Sequence, residues 1–214
     1  MSESKRLTFL LAASGGLMDV YTYIFRGGVF ANAQTGNILL LGVNLAEGNY
    51  QKALHYFFPV TAFIFGIVLA EFIRRFCAKD GFLHWRQLTV LLECIVLFFV
   101  GFFPQQYNLP ANALVSLACG IQVESFRKVK GNSSATTMCI GNLRSGTQAI
   151  CDFLFTRDKR YLFKGMIYYG IILSFTLGAV LGNIIITFLT QRTIWCSSAL
   201  LLAGFFLMFM QNKS

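Results

Sequence analysis

The stretch from Phe30 to Gly42, FANAQTGNILLLG, decides what kind of fold the chain can form. Its back half is too apolar for a loop, but its front half is too polar for a lipid-facing helix because it contains Asn32, Gln34, Thr35 and Asn37. Irregular backbone inside a membrane is tolerated only where protein buries it or where it lines a cavity. The stretch therefore predicts a re-entrant or broken helix over residues 30–46.

A second stretch of the same character, ATTMCIGNLRSG, lies much later in the chain, at residues 135–146. The two stretches align so that Thr35 falls on Ile140, Gly36 on Gly141 and Asn37 on Asn142. Each follows a glycine-containing apolar segment that ends near an acidic residue, GGLMDVYTY before the first and CGIQVESF before the second. The alignment predicts two related halves.

The segments that follow the two stretches match as well, with AFIFG at residues 62–66 and SFTLG at 174–178. Weak internal similarity of this kind is typical of transporter folds that are built from repeats.

The composition is that of an integral membrane protein. Of the 214 residues, 56% are hydrophobic and 13% are charged, whereas soluble domains carry about 25% charged residues. The apolar runs are continuous and lack the period-two alternation of barrel strands, so helices are expected. The six Cys are scattered without a C-x-x-C pair, which favours buried free thiols over a disulfide framework or a metal site.

The chain thus predicts an all-α membrane protein with about six transmembrane helices and two re-entrant or broken-helix elements, arranged as two inverted repeats in a single membrane domain. The first repeat covers residues 1–104, with spans at about 7–25, 56–76 and 87–103 and the broken element at 30–46. The second covers residues 111–214, with spans at about 111–126, 165–189 and 194–210 and the broken element at 133–153.

The distribution of Lys and Arg predicts the topology, because short cytoplasmic loops collect these residues. With six spans, fourteen Lys and Arg lie in cytoplasmic segments and three lie outside, whereas eight spans would give eight against nine. The six-span topology is therefore favoured, with both termini in the cytoplasm. Since each half then holds three spans, an odd number, the second half starts on the opposite side of the membrane, and the repeats are inverted.

These residues resemble the YoaK-like membrane proteins, domain of unknown function family 1275. The resemblance rests on GGLMDVYTY and GGVFANAQTGNILLLG in the first half and on CGIQ and GN in the second, and it covers nearly the whole chain. The second half departs from the family pattern at Val123, where a polar residue is expected after Gln122, and at Ile140, which replaces the Thr of a T-G-N. The resemblance implies a bacterial multi-pass protein of the cytoplasmic (inner) membrane, and it implies no reaction.

The candidate solute-binding residues are polar groups, with one glycine, in the two stretches and in the segments before them: Asp19, Asn32, Gln34, Thr35, Gly36, Asn37, Gln122, Glu124, Thr137, Asn142 and Arg144. Polar groups inside a span are costly and by default indicate a function. Asp19 is the best single candidate, because an Asp at a helix centre costs about 2.5–3.5 kcal/mol on an insertion scale. Two alternatives stay open: Asp19 reaches outward or caps the Gly27-Gly28 turn, and the other polar groups only satisfy the freed backbone of a broken helix.

Arg144 lies within the second stretch, where an unpaired guanidinium would be costly. We therefore expect it to pair with Glu124, Asp152 or Asp19, or to hold a bound anion.

These features favour a small secondary transporter or permease for a small polar solute or ion. The alternative is a non-transporting membrane scaffold, a sensor, or a protein that interacts with lipid or a partner, and an intramembrane enzyme ranks third for lack of a matched nucleophile and base. The sequence contains no G-x-x-x-x-G-K-[ST] and no G-x-G-x-x-G, so neither ATP-driven transport nor a nucleotide cofactor is expected.

The expected partners follow from charge and size. The formal net charge of +9 fits cytoplasmic loops beside anionic membrane lipid, not nucleic acid. His55 and His84 are too far apart to indicate a metal site. A chain with six spans often needs a second copy to bury its surface, so a homodimer is among the expectations.

Overall fold

The computed structural model of the chain describes residues 5–77, 84–129, 132–133 and 139–211, and this part is almost entirely helical. The predicted all-α class is confirmed. The helices are α1 (Lys5–Val20), α2 (Gln34–Ala46), α3 (Tyr50–Phe76), α4 (Trp85–Val100), α5 (Asn108–Ser125), α6 (Cys139–Thr156), α7 (Lys159–Leu189) and α8 (Ile194–Gln211). Two strands of two residues each, β1 (Lys128–Val129) and β2 (Asn132–Ser133), pair antiparallel between α5 and α6.

The first helix does not end in the ordinary way. After Val20 it continues as one turn of π-helix over Tyr21–Phe25, a form that is rare and frequent near functional sites. Gly27 and Gly28 follow with φ of 91° and 80°, a left-handed conformation that glycine adopts without steric cost. The chain then stays non-helical until α2 begins at Gln34.

Helix packing follows one pattern in both halves of the chain. α1 packs on α7 and α5 packs on α3, while the short helices α2 and α6 lie against α3 and α7 respectively. α4 and α8 pack on each other, α4 also on α5, and α8 also on α1. Exchanging α1–α4 for α5–α8 therefore leaves this set of contacts unchanged.

Glycines allow the backbones to touch at two of these crossings. A Cβ built on Gly16 would overlap the Phe175 carbonyl oxygen, and one built on Gly178 would overlap the Ala13 carbonyl oxygen, where α1 crosses α7. Where α3 crosses α5, a Cβ on Gly66 would overlap the Leu117 carbonyl oxygen and one on Gly120 that of Phe63. Close approach through small residues is typical of helix pairs in membranes, where dispersion replaces the hydrophobic driving force.

Within the described residues, three segments are long and apolar enough to cross a membrane by length and composition, namely Lys5–Phe25, Tyr50–Phe76 and Lys159–Phe209. The third contains α7 and α8, which are separated by a 3-10 turn over Thr190–Thr193. α4 is only 16 residues long and falls outside this set. Helices thus occur at all six positions of the predicted spans, but the six-span count itself stays a prediction.

The helices differ in how much of their surface the protein buries. Only 17% of the most apolar window of α3 is buried, and large apolar side chains such as Phe65 and Phe188 are 66% and 80% exposed. By contrast α1, α4 and α5 supply most of the core. An apolar exterior around a partly polar core is the arrangement of a protein whose solvent is lipid.

Arg26 links the end of the first helix to the turn between α4 and α5. Its side chain is fully buried and donates hydrogen bonds to the Tyr21 hydroxyl, to the carbonyl oxygens of Phe103 and Pro104, and to the amide oxygen of Asn108. The Tyr21 hydroxyl in turn donates to the Gln191 carbonyl oxygen, at 3.0 Å. Because Phe103 and Pro104 follow the C-terminus of α4, the cation also complements the negative end of that helix dipole.

Candidate solute site between the two short helices

Asp19 holds the non-helical segment that leads into α2. It lies in the last turn of α1, is 8% exposed, and its Oδ1 accepts a hydrogen bond of 2.7 Å from the Asn32 backbone N–H. The Asn32 side chain donates from Nδ2 to the Gly15 carbonyl oxygen, at 3.1 Å. The side chain of Asp19 therefore points inward, toward the segment before α2. It neither reaches outward nor caps the Gly27-Gly28 turn, the two alternatives that the sequence left open.

Asn37 clamps the same segment from the other side. Its Oδ1 accepts from the Phe30 N–H at 3.0 Å and its Nδ2 donates to the Phe30 carbonyl at 2.6 Å. Nδ2 also donates to Gln34 Oε1, while Gln34 Nε2 donates to the Ala31 carbonyl. The N-cap residue Ala33 offers no side-chain bond, and these amides bond backbone groups of Phe30 and Ala31 before the helix, not the N–H groups of its first turn. The hydrogen bonds of Asn37 are structural.

Gly36 serves the packing of the same turn. A Cβ at this position would come within 2.8 Å of the Phe30 ring, and that ring stacks on Tyr23 of the π-helix with centroids 4.7 Å apart. The glycine thus lets the aromatic ring lie flat against the start of α2.

The beginning of α6 takes the corresponding place in the second half. Asn142 is 2% exposed, as its counterpart Asn37 is fully buried. Ile140, which aligns with Thr35, is 81% exposed. Thr137 lies outside the described residues, so this predicted site residue has no structural account.

A cavity of about 1110 Å³ lies between the two short helices. Its wall includes Gln34 and Thr35 at the start of α2 and Cys139 to Asn142 at the start of α6. Asp19 and Asn32 add polar groups, and aromatic rings come from Tyr23, Phe30, Phe63 and Phe175. The N-termini of both short helices therefore share one cavity with a buried carboxyl group.

The predicted site residues divide into two groups. Five line the cavity: Asp19, Asn32, Gln34, Thr35 and Asn142. Among the described residues the cavity wall does not include Gly36, Asn37, Gln122, Glu124 or Arg144. Gln122 is buried elsewhere and donates from Nε2 to the Leu11 carbonyl oxygen at 3.0 Å, which joins α5 to α1.

The ion pairs expected for Arg144 are not found among the described residues, and a bound anion at this residue stays a prediction. The residue is exposed on α6, and within the described ranges it forms no ion pair with Glu124, Asp152 or Asp19. Glu124 instead pairs with Arg127, at 3.3 Å. The physical reason is the helical register of α6, because the side that faces α7 carries Gly146 and Ala149, which are buried.

The comparison with known proteins agrees with the membrane character of the fold. The model of a protein family described as "Protein of unknown function (DUF1275)" matches residues 7–207. The chain belongs to this DUF1275 family. It is 26% identical over 161 residues to the UPF0700 transmembrane protein YoaK of Bacillus subtilis (strain 168), an alignment that covers 73% of this chain and 72% of that protein. No solved structure matches.

Sequence reasoning missed the aromatic part of this DUF1275 site. Phe63 and Phe175 line the cavity from α3 and α7, and they occupy the same position in the matched segments AFIFG and SFTLG. That internal match was the signal that could have located them. Ser145 also lines the cavity, with no sequence signal to separate it from other serines. The part of the chain that the structure describes contains no group of three metal-binding side chains.

Proposed function

We propose that this chain is a small secondary transporter or permease, without enzymatic activity, for a small polar solute or ion that binds in the cavity between α2 and α6. The observation that carries the proposal is that both short helices begin at one cavity, beside Asp19. Discontinuous helices whose N-termini meet at a binding site are the usual construction of secondary transporters. The N-terminal N–H groups of such helices are available to polar or anionic groups of a solute.

The packing pattern supports two structurally related halves as the frame of this transporter, and the three spans proposed for each half make them inverted repeats. The pairs α1·α7 and α5·α3, α2·α3 and α6·α7, and α1·α8 and α5·α4 are related by exchange of the two halves.

We further propose six spans with both termini in the cytoplasm, in the bacterial cytoplasmic membrane, on the basis of the Lys and Arg distribution. A homodimer remains part of the proposal, since much of the apolar surface of α2 and α6 is exposed.

One observation favours a second candidate, a membrane scaffold, a sensor or a protein that interacts with lipid or a partner. The three hydrogen bonds of Asn37 stay within the protein, to Phe30 and Gln34. A polar side chain that is satisfied within the protein, as Asn37 is, needs no solute. The two candidates differ in whether water and solute reach the cavity from both sides of the membrane.

Accessibility of the cavity distinguishes the two candidates. Single cysteines are placed at Thr35 and Ile140 in a background free of the six native Cys, because these aligned residues line the cavity and are exposed. A small membrane-impermeant thiol reagent is applied from each side of oriented vesicles. For a transporter we expect each position to be labelled from either face, with both rates changing together when solute or pH is varied.

The control is Leu39→Cys, on α2 but outside the cavity wall and 65% exposed on the apolar surface. It should stay unlabelled from both faces. If the folded Thr35→Cys and Ile140→Cys variants were also unlabelled from both faces in every condition, the transport proposal would fail and the scaffold candidate would replace it.

A further inference from the structure

A second buried acid, Glu93, lies in the middle of α4 and is not part of the cavity wall. Its side chain is fully buried, and neither carboxyl oxygen has a hydrogen-bond partner in the part of the chain that the structure describes. The ion pairs found there do not include Glu93. A hydrogen bond between helices, the ordinary role of a polar group in a membrane bundle, therefore does not explain this acid.

The helices around Glu93 offer it no positive charge. α8, α5 and α3 pack on α4, and no charged group among the described residues acts on Glu93. The other titratable side chains of these four helices are Arg86 and Cys94 of α4, Cys196 of α8, Cys119 and Glu124 of α5, and, at the two ends of α3, Tyr50, Lys52, His55, Tyr56, Glu71, Arg74 and Arg75. A buried carboxylate without a counter-charge is so costly that the group binds a proton and becomes neutral.

Cys119 of α5 connects Glu93 to the cavity. The Cys119 thiol contacts the Met18 sulfur at 3.7 Å, and the charges of both Asp19 and Glu93 act on it. Asp19 lines the cavity, so a single side chain lies close both to the cavity acid and to Glu93. A change of charge at Glu93 therefore takes place in the core directly behind the solute site.

The two acids differ in their hydrogen-bond donors. The backbone N–H groups of Asn32, Ala31 and Ala33 face the Asp19 carboxyl group, and such donors stabilise the charge of a carboxylate. Glu93 has no donor among the described residues. Of the two acids, Glu93 is thus the one whose environment favours the protonated form.

Resting on the transport function proposed above, we infer that the coupling ion is a proton and that Glu93 binds it. In the arrangement described here the acid is buried and holds its proton. In the alternate arrangement of the transporter water reaches Glu93, the proton passes to water and a carboxylate remains. Acids inside membrane helices form the proton relays of pumps and transporters. A hard metal cation would take about six oxygen ligands, whereas the side chains on which Glu93 acts are the thiols of Cys94 and Cys119.

The crossing of α4 and α8 gives the proton a way out of the core. Next to Glu93, the Ser198 hydroxyl donates to the Cys94 carbonyl oxygen at 3.0 Å. The neighbouring Ser197 hydroxyl donates to the Ser14 carbonyl oxygen at 3.2 Å. Because each serine oxygen can also accept hydrogen bonds, this crossing can bind water when the helices move apart.

Infrared spectroscopy of the purified full chain in detergent tests the proton site directly, since a protonated carboxyl group has a C=O band that a carboxylate lacks. We expect such a band, shifted when glutamate side chains carry a heavier carbon isotope, to disappear reversibly as the pH is raised. It should be absent from Glu93→Gln. Glu47→Gln is the matched control, because Glu47 is an exposed acid at the end of α2, and it should keep the band.

The cysteine labelling described above tests the coupling. For Thr35→Cys and Ile140→Cys, the ratio of labelling from the two faces cancels the pH dependence of the thiol itself. We expect this ratio to change severalfold with pH when Glu93 is present and to become independent of pH in Glu93→Gln. Glu93→Asp restores an acid and should restore the pH dependence, which a merely structural role of Glu93 would not do.

Three results would each overturn the assignment: no glutamate band, a band that persists at every pH at which the protein is folded, or a pH-dependent face ratio in folded Glu93→Gln. If Glu93→Gln does not fold, the first two results, measured on the unmodified protein, decide. Labelling from both faces with a failed infrared titration removes the proton at Glu93 and leaves the transporter. No labelling from either face, with a titrating band, removes transport and leaves Glu93 as a buried acid without a coupling role.

Discussion

The starts of α2 and α6 occupy corresponding places in the two halves but differ in the chemistry around them. Asn37 and Asn142 are both buried at aligned positions, and both helices line the same cavity at their N-termini. Among the described residues, only the first half places an acid in the cavity wall, because Asp19 lines the cavity, whereas Glu124 of the second half does not and pairs with Arg127. The helix contacts are shared by the two halves while the acid in the cavity wall is not, so a nearly symmetric frame surrounds an asymmetric cavity.

The largest expected effect tests whether the frame itself is shared. We expect Gly16→Ala and Gly120→Ala each to lower the free energy of unfolding by about 3 kcal/mol, because the new methyl group would overlap a backbone carbonyl oxygen of the crossing helix. Thermal unfolding in detergent measures both. Gly42→Ala is the control, since no atom lies within 4 Å of a Cβ there. A large effect at one crossing and none at the other would refute the equivalence of the two crossings.

A smaller effect tests whether the buried Asn at the start of α6 stabilises its helix as Asn37 does at the start of α2. Asn37→Ala leaves the Phe30 N–H and carbonyl without their side-chain partner, so we expect a loss of about 2 kcal/mol. Asn142→Ala should cost a similar amount, because Asn142 is buried at the aligned position. The measurement is again thermal unfolding, with the exposed Thr35→Ala as the neutral control. An unchanged melting temperature for Asn142→Ala would show that α6 is held in another way.

The acid that distinguishes the halves should contribute less to stability than to binding. Asp19→Val removes both the charge and the acceptor of the Asn32 N–H, so we expect a loss of about 1–2 kcal/mol. Asp19→Asn keeps an acceptor and should lose less. Chemical denaturation of the two variants side by side measures the difference, and equal stability would mean that this hydrogen bond does not hold the segment.

The smallest effect concerns the starts of the long helices. α7 has Asp158 as its N-cap, with a side chain that accepts from the Arg160 N–H at 2.9 Å, whereas Asn49 before α3 makes no such bond. The side-chain hydrogen bond from Arg160 lowers the pKa of Asp158 below its usual value. A lowered pKa stabilises the folded state above the unfolded-state pKa of about 3.9, and that contribution is lost as pH falls through the folded-state value.

We therefore expect Asp158→Asn to lower the melting temperature slightly at pH 7. The difference from the unmodified protein should shrink as the pH falls below about 4. Asn49→Ala, which removes no capping bond, should have a smaller effect that does not depend on pH in this range. A pH-independent difference for Asp158→Asn would contradict the assignment of the cap.

Much of the helical frame is predictable from the sequence because continuous apolar runs specify helices in a membrane. The polar start of the first stretch also indicated a break, and the structure places Asn32, Gln34 and Thr35 in a cavity wall there. The alignment of Gly36-Asn37 with Gly141-Asn142 identified the two helices that meet at the cavity. These predictions succeed because composition and local pattern determine the elements concerned.

The rest depends on tertiary contacts that leave no local pattern. The π-helical turn over Tyr21–Phe25 reads in the sequence as an ordinary continuation of α1. From the sequence, Arg26 would be placed in an exposed loop. In the structure it is fully buried and bonds the carbonyl groups of Phe103 and Pro104, which follow α4. From the sequence, Arg144 is expected to be buried. In the structure it is exposed, because it lies on a different face of α6 from the buried Gly146 and Ala149. Which face of a helix is covered is decided by its neighbours, not by its own residues.

The buried Arg26 has a consequence for how the protein is assembled during synthesis. Tyr21, which shares its hydroxyl between Arg26 and the Gln191 carbonyl, lies 170 residues before that partner. A contact so distant along the chain can close only after α7 has left the ribosome, since non-local contacts must wait for both partners. Within the described part of the chain, the guanidinium of Arg26 itself bonds only to Tyr21 and to residues 100–108, so its own hydrogen bonds can form once α5 has been synthesised, and the bond from Tyr21 to Gln191 closes later.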